Sequence, residues 1–389
     1  MKKLFLILSL FLAVTTYAQH NPKTLISEDE LPTMVERIIE RRDSVMNDGY
    51  KIRKIKSHIN LEFASSANAY FTAGQFDEMS FKMNRVRLEI YGRLHDKLSY
   101  HFRQSFSSYN NVNTVENLPS SIEYANLKWG ISDKFDLVVG KQFLAVAGYE
   151  GYVNGLLVRE FSEFNNNFAI FQTGVKGSLY LTPDQHLYFQ IVNQKTGLED
   201  YGLPMGVEPS KFPLLASACW MGWFADGTIN LQYSASAGQL AKGKNIYYLM
   251  CGNVYEKGPV LAYLDVLYSR SAVDIQQRVT FLNAAGAPQT AQNTEYLTFI
   301  ANFDYQFNPK LNAYIKGAYE RVGVYEANGI FAKGHYMTSW NAQACLEWFP
   351  FTVDKGFKVF AHYLYKGHSL TQKADALMAV MPHTQRVSI

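Results

Sequence analysis

The chain has 389 residues, of which 18% are charged and 15% aromatic, with a formal charge of +3. Removing Lys2 and Lys3 with an N-terminal leader brings the balance to near +1, which gives no reason to expect a nucleic-acid partner. Outside the leader the longest uncharged apolar run is Leu214 to Phe224, far short of the ~20 residues of a helical span. Any membrane crossing is therefore made by strands.

The first 18 residues, MKKLFLILSLFLAVTTYA, combine two lysines, an apolar run and small residues at Thr16 and Ala18. This is the pattern of a secretory signal peptide cut after Ala18. Residues 19–56 differ in texture from the remainder of the chain. Ser27 and Glu30 have capping-box spacing, and Leu31, Val35, Ile38, Ile39, Val45 and Met46 recur near helical spacing. A periplasmic N-terminal extension with a short helix is expected there, placed to contact a partner or to pack on a barrel mouth.

Residues 57–389 alternate in segments of strand length. The expected strands are 57–72, 80–94, 98–109, 121–131, 134–146, 168–182, 186–194, 213–225, 228–240, 245–256, 259–271, 294–307, 310–322, 336–349, 356–367 and 382–389. That is about sixteen, the even number of a bacterial single-chain barrel. Every second connection is tight, as at His95-Asp96-Lys97, Asp226-Gly227 and Asn308-Pro309-Lys310, whereas 147–167, 195–212, 272–293, 323–335 and 368–381 are long. Tight turns at one end and long loops at the other are the asymmetry of an outer-membrane barrel, with the turns periplasmic. Trp129, Phe224, Phe307 and Trp348-Phe349 stand just before tight turns and predict an aromatic girdle at that end. The fold class is thus all-β, an antiparallel transmembrane β-barrel. A soluble propeller or sandwich would not need uncharged faces of this length.

The hairpin FKMNRVRLEIYGRLHDKLSYHFRQSF, Phe81 to Phe106, shows the two faces most clearly. Val86, Leu88, Ile90 and Leu94 alternate with Arg85, Arg87, Glu89 and Arg93. Arginine facing lipid costs roughly 2–4 kcal/mol near the midplane, so the charged row is expected to face a wet lumen. Residues 95–97 in the turn would set Leu94 opposite Leu98 and Glu89 opposite Arg103. Glu89 would then neutralise Arg103 and leave Arg85 and Arg87 as uncompensated charge.

This hairpin, together with LKWGISDKFDLVVGKQF and its Gly140-Lys141-Gln142-Phe143 before a long loop, resembles the phosphate-selective porin O and P family. The resemblance implies a sixteen-stranded barrel, often trimeric, with a third long loop folded into the pore. It also implies anion-selective diffusion, favouring phosphate in some members. The third loop here is 147–167, with Gly148, Gly151 and Gly155 to ease turns and Arg159, Glu160 and Glu163 as constriction residues. Alternation nominates Arg85, Arg87, Arg93, Arg103, Lys128, Lys176, Lys316, Lys358 and Lys366 as pore-lining, anion-binding residues.

No HExxH, CxxC, paired ligating histidines or phosphate-cradling glycine loop occurs, so neither metal nor cofactor is expected. Cys219, Cys251 and Cys345 read as small wall residues. The expected function is a passive outer-membrane porin for small hydrophilic solutes, anions preferred and phosphate among them, with outer-membrane lipid around it. Two alternatives stand beside it: a non-enzymatic barrel subunit of a larger outer-membrane assembly, and an outer-membrane barrel hydrolase. The last segment, Met381 to Ile389, is shorter than the ~9–11 residues of a tilted span and lacks a terminal aromatic, which predicts that the natural chain continues.

Overall fold

A computed structural model describes residues 15–16, 56–106, 121–153, 158–194, 207–283, 289–351, 357–377 and 379–389. The expected N-terminal helix lies outside them.

Sixteen strands follow one another as a single antiparallel sheet. They are β1 Lys56–Thr72, β2 Gln75–His95, β3 Leu98–Ser105, β4 Ile122–Ser132, β5 Phe135–Phe143, β6 Phe171–Thr182, β7 Gln185–Asn193 and β8 Leu214–Phe224. The second half is β9 Ile229–Ala241, β10 Lys244–Lys257, β11 Val260–Val273, β12 Gln292–Asn308, β13 Leu311–Val324, β14 Gly334–Trp348, β15 Phe357–Leu370 and β16 Thr384–Ser388. Each pairs with its neighbours in sequence, and β16 closes the ring by pairing Thr384–Ser388 with Asn68–Thr72 of β1. On its other side β16 meets only His362–Lys366 of β15. Closure matters because an open sheet edge in hydrocarbon would leave backbone groups without partners.

Exposure separates the two faces. Ile59, Leu61 and Phe63 of β1 are exposed while Glu62 and Ala64, on the alternate row, are buried. The exposed row is the apolar outer wall, and the polar row faces the interior. Trp129, Phe224, Phe307 and Trp348 lie on the outer wall near the tight turns. Phe349, expected in the same girdle, is instead buried, because the chain leaves the strand after Trp348 and Phe349 turns inward beside Lys358.

Two expectations about the β1–β3 region need correction. The stretch 73–79 is not a loop: Ala73 and Gly74 form a two-residue turn with φ of 50° and 80°, and β2 starts at Gln75. Glycine is suited to that left-handed position, and such turns match the twist of a hairpin. A bulge opposite Ala64 and Ser65 then moves Asn84 out of the ladder, so Met83 and Phe81 join Val86 and Leu88 on the apolar row although their numbers have the other parity. At the other end of β2 a second bulge sets His95, not Leu94, opposite Leu98, while Glu89 does face Arg103 as the spacing predicts.

The loop end of the barrel is not hollow. Residues 144–153 and 158–168 enter the lumen, with helix α1 at Tyr149–Tyr152 and helix α2 at Glu163–Asn166. Leu144, Val146, Phe164 and Phe168 pack with inward-facing Tyr248, Leu267, Tyr296 and Ile300 into a buried apolar cluster. The loop between β11 and β12 joins it through Val279 and Leu282, and Phe331 enters from the loop after β13.

Candidate functional site

The third loop is held along the inner wall by a series of hydrogen bonds that runs from β7 to β16. Ala145 N–H donates to Gln190 on β7 at 2.6 Å, and Ala147 N–H to Ser234 on β9 at 2.7 Å. At the start of α1, Asp265 on β11 accepts from Tyr149 N–H at 2.8 Å and Glu150 N–H at 2.7 Å. Close approach there depends on Gly252 of β10, where a Cβ would stand 3.0 Å from Tyr149 N and 3.2 Å from Gly148 Cα. Gly148 itself has φ 112°, a conformation that side chains beyond glycine rarely adopt.

Glu150 is the hub of the loop and is fully buried, at 0% exposure. Its carboxylate accepts from Lys316 Nζ of β13 at 2.6 Å, from Ser162 Oγ at 2.7 Å and from Asn165 Nδ2 at 2.6 Å. One acid thus ties the two ends of the loop to each other and to the wall. A buried carboxylate needs such partners, since its desolvation is otherwise uncompensated. Glu320 of β13 plays a similar part by accepting from Phe164 N–H at 2.9 Å, and Arg278 of the next inward loop approaches the same carboxylate at 3.4 Å.

The three expected constriction residues lie together against β14–β16. Arg159 stacks 3.7 Å over Phe360 and reaches Glu347 at 3.5 Å. Glu160 pairs with Lys366 at 2.7 Å and with Arg386 at 2.9 Å, and Glu163 with Lys366 at 2.8 Å. Burial alone would raise the Glu160 carboxyl, but Lys366 and Arg386 beside it hold it below the usual range. Lys358 is bonded to Glu347 on the neighbouring strand.

A second charged cluster lies on β1–β4. Arg87, 2% exposed, pairs with Glu62 at 2.6 Å and approaches Glu123 at 3.5 Å. Arg103 pairs with Glu123 at 2.5 Å and lies over Tyr124 and Phe171, with Glu89 more distant at 3.8 Å. Glu89 also bonds to His101 at 2.8 Å. The expectation that Arg87 is uncompensated is therefore corrected, and Glu89 does pair with Arg103 but shares it with the closer Glu123. Glu62 and Glu123, one strand away on either side, were closer acids than any in the hairpin. Arg85 lies beside this cluster within electrostatic reach of Glu123. Lys128 pairs with Asp136 at 2.9 Å, Lys176 stands 5.7 Å from the Tyr188 ring, and Arg93 is on the same row toward the tight turn.

The structure thus divides the nominated cations into two sets. Lys316, Lys358 and Lys366 lie with Arg159, Glu160 and Glu163, whereas Arg85, Arg87, Arg93, Arg103, Lys128 and Lys176 lie on β2–β6. Sequence reasoning missed Glu150, Glu347, Arg386 and the anchoring acid Asp265; it placed Glu320 on the lumenal face but not as a loop anchor. A carboxylate at an inward-facing strand position, or within the apolar YEGY segment, was the available signal.

Among solved structures, the outer-membrane channel DcaP of Acinetobacter baumannii superposes with a TM-score of 0.56 at 12% identity, over 88% of this chain and 99% of that one. An anion-selective porin from Comamonas acidovorans gives 0.55 at 8% identity, covering 86% and 98%. Salmonella typhi OmpF in complex with daunomycin gives 0.54 at 12% identity, covering 85% and 96%. At these identities the likeness is one of fold. No curated protein is a significant sequence match. The family model described as phosphate-selective porin O and P matches residues 58–389, which is nearly the whole barrel, and the chain belongs to that family of outer-membrane porins.

Proposed function

We propose that this porin passes small hydrophilic solutes with anions preferred, and that inorganic phosphate is among them. The observation that carries the reading is the charge balance of the wall away from the loop. Arg85, Arg87, Arg93, Arg103, Lys128 and Lys176 share the inner face of β1–β6 with Glu62, Glu89, Glu123 and Asp136, the six nominated cations against four carboxylates. The acids of the loop are meanwhile bound to Lys316, Lys366 and Arg386, which removes them as a cation-attracting surface. A passage with a net positive low-dielectric wall concentrates anions and repels cations.

Residues 144–153 and 158–168 narrow the passage, with Arg159, Glu160 and Glu163 at its edge against β14–β16. The loop supplies position and bulk, and the opposite arginines supply the field. Aromatic Tyr124, Phe171 and Tyr188 hold Arg103 and Lys176 in place by lying against their charged heads.

Proteoliposome swelling tests this reading. Anionic solutes such as gluconate should permeate several-fold faster than cationic solutes of equal size, and a small neutral sugar should lie between them. Equal rates for the two ions would refute anion preference, and no permeation by any of the three would refute an open pore.

A further inference from the structure

The loop between β11 and β12 enters the lumen beside the third loop and ends on it. Its first half is drawn into a knot around one fully buried acid, Asp274. That carboxylate accepts from Val279 N–H at 3.0 Å, from Thr280 N–H at 2.8 Å and from Thr280 Oγ1 at 2.8 Å, and the Tyr296 hydroxyl of β12 bonds to its other oxygen. The returning chain is tied to the same centre. Ala291 N–H donates to Thr280 Oγ1 at 3.1 Å, and Ala291 C=O accepts from Asp274 N–H at 2.9 Å. The turn Thr280–Leu282 then leaves Val279 and Leu282 in the apolar cluster shared with Phe164 and Phe168. Local bonds of this kind, from an acidic side chain to backbone a few residues on, fix a loop in one shape.

What the knot presents to the third loop is Arg278, only 8% exposed. Its Nη2 donates to Ser339 Oγ of β14 at 2.7 Å and stands 3.4 Å from the Glu320 carboxylate of β13, and its guanidinium lies 5.9 Å from the Tyr296 ring. Glu320, 1% exposed, is the acid that accepts from Phe164 N–H of α2 at 2.9 Å, and Thr298 Oγ1 donates to the same oxygen at 3.3 Å. Among the described residues Arg278 is the one cation paired with Glu320, while Glu150 and Glu163 lie within electrostatic reach of it. An ionised carboxylate buried near other acids needs a compensating cation, and neutral donors alone do not supply one. The hold of Glu320 on α2 therefore depends on a residue that belongs to a different loop.

We propose that the β11–β12 loop is a latch on the constriction, and that Arg278 is a positioning residue which keeps α2 against β13 by neutralising Glu320. Two loops then set the width of the passage, the second holding the first. This rests on the reading that the third loop narrows the passage, and it is independent of which solute passes. A lumenal arginine could instead serve as one more charge that attracts anions. The two roles give opposite signs. Losing an attracting charge lowers both conductance and anion preference, whereas losing a latch frees α2 and raises conductance.

The test uses the full chain purified in detergent, with planar-bilayer recording and hydrogen–deuterium exchange of residues 158–168 measured on the same variants. Arg278→Met should raise single-channel conductance about 1.5- to 2-fold and speed exchange in 158–168 severalfold, because α2 loses its anchor. Arg278→Lys keeps the charge and should restore most of the wild-type value of both. Asp274→Asn loosens the knot while leaving Arg278 and Glu320 in place, and should shift both readouts in the same direction by a smaller factor. Where Arg278→Met does not fold, Arg278→Gln and Asp274→Asn carry the same expectation. Glu320→Gln removes the charge that Arg278 serves, so adding Arg278→Met to it should change little further. Independent, additive effects in that double variant would overturn the latch. So would unchanged exchange in 158–168, or a lowered conductance with loss of anion preference. A wild-type barrel that does not conduct, while Arg278→Met still frees 158–168, would refute the open pore and leave the latch standing.

Discussion

The β1–β4 wall and the β13–β16 wall are both lined with ion pairs, yet they use them differently. On β1–β4 the pairs join strand to strand: Glu62 to Arg87 and Arg103 to Glu123 between neighbours, and Arg87 to Glu123 across β3. On β13–β16 one pair, Lys358 to Glu347, joins adjacent strands, and the others join the wall to the inserted loop: Lys316 to Glu150, Lys366 to Glu160 and Glu163, Arg386 to Glu160. The difference teaches that a lumenal charge has one of two uses. Under the proposed function, the strand-to-strand pairs belong to the selective wall and the wall-to-loop pairs to the constriction. Mutations should separate the two by affecting selectivity on one side and conductance on the other.

The largest effect is expected at the loop hub. Lys316→Met leaves the fully buried Glu150 carboxylate without its cation, a loss of about 3–5 kcal/mol for a buried pair broken on one side. The loop should leave the wall, and single-channel conductance should rise severalfold with larger current noise. Unchanged conductance would show that the loop is held by its apolar packing alone. A comparable result is expected from Gly252→Val, whose added carbons would occupy the space next to Tyr149 N and Gly148 Cα. Its conductance should increase, although no charge is altered.

On the opposite wall Glu123→Gln removes the carboxylate shared by Arg87 and Arg103. Conductance should change little, whereas the anion-to-cation permeability ratio should rise about two- to fivefold and the heat resistance of the folded barrel should fall. A conductance change as large as that of Lys316→Met would contradict the division of labour between the walls.

How far these features could be read from the sequence depended on whether they were local. Every strand was legible, because period-two alternation and turn residues are local signals and a lipid-facing row admits few exceptions. The errors fell where a bulge shifted parity, at Asn84 and near Leu94, or where a two-residue turn was hidden by the polar run Gln75-Phe76-Asp77-Glu78. Lumen-facing cations were legible for the same reason. Their partners were not, because Glu62 and Glu123 lie 25 and 36 positions from Arg87, and Lys316 lies 166 from Glu150. Alternation gives the face of a side chain but not the acid across from it. The inward course of the third loop was suggested by its length and apolar residues, while the second inward loop, with Asp274 capping Val279 and Thr280, gave no sequence signal beyond its length.

Smaller effects are expected where the pairs are partly solvated. Glu160 contacts Lys366 and Arg386 at the lumen edge, so each such contact is worth about 1 kcal/mol or less. Because its folded-state carboxyl lies below the ordinary range, the stabilisation is present above the ordinary carboxylate pKa and is lost as pH falls through the depressed one. Conductance should therefore stay constant from neutral pH down to about pH 5 and increase only in stronger acid. Glu160→Gln should remove that acid-dependent increase. The smallest change belongs to Arg85→Gln, a half-buried residue beside the Glu123 cluster, which should shift selectivity slightly toward cations without changing conductance.

The central claim is that the barrel is an open, anion-preferring pore. Planar-bilayer recording of the purified protein across a potassium chloride gradient tests it most directly. Stable open channels are expected whose zero-current potential moves toward the chloride equilibrium value, with part of the conductance blocked when phosphate is added. A sealed barrel, or a zero-current potential that moves toward the potassium value, would contradict it.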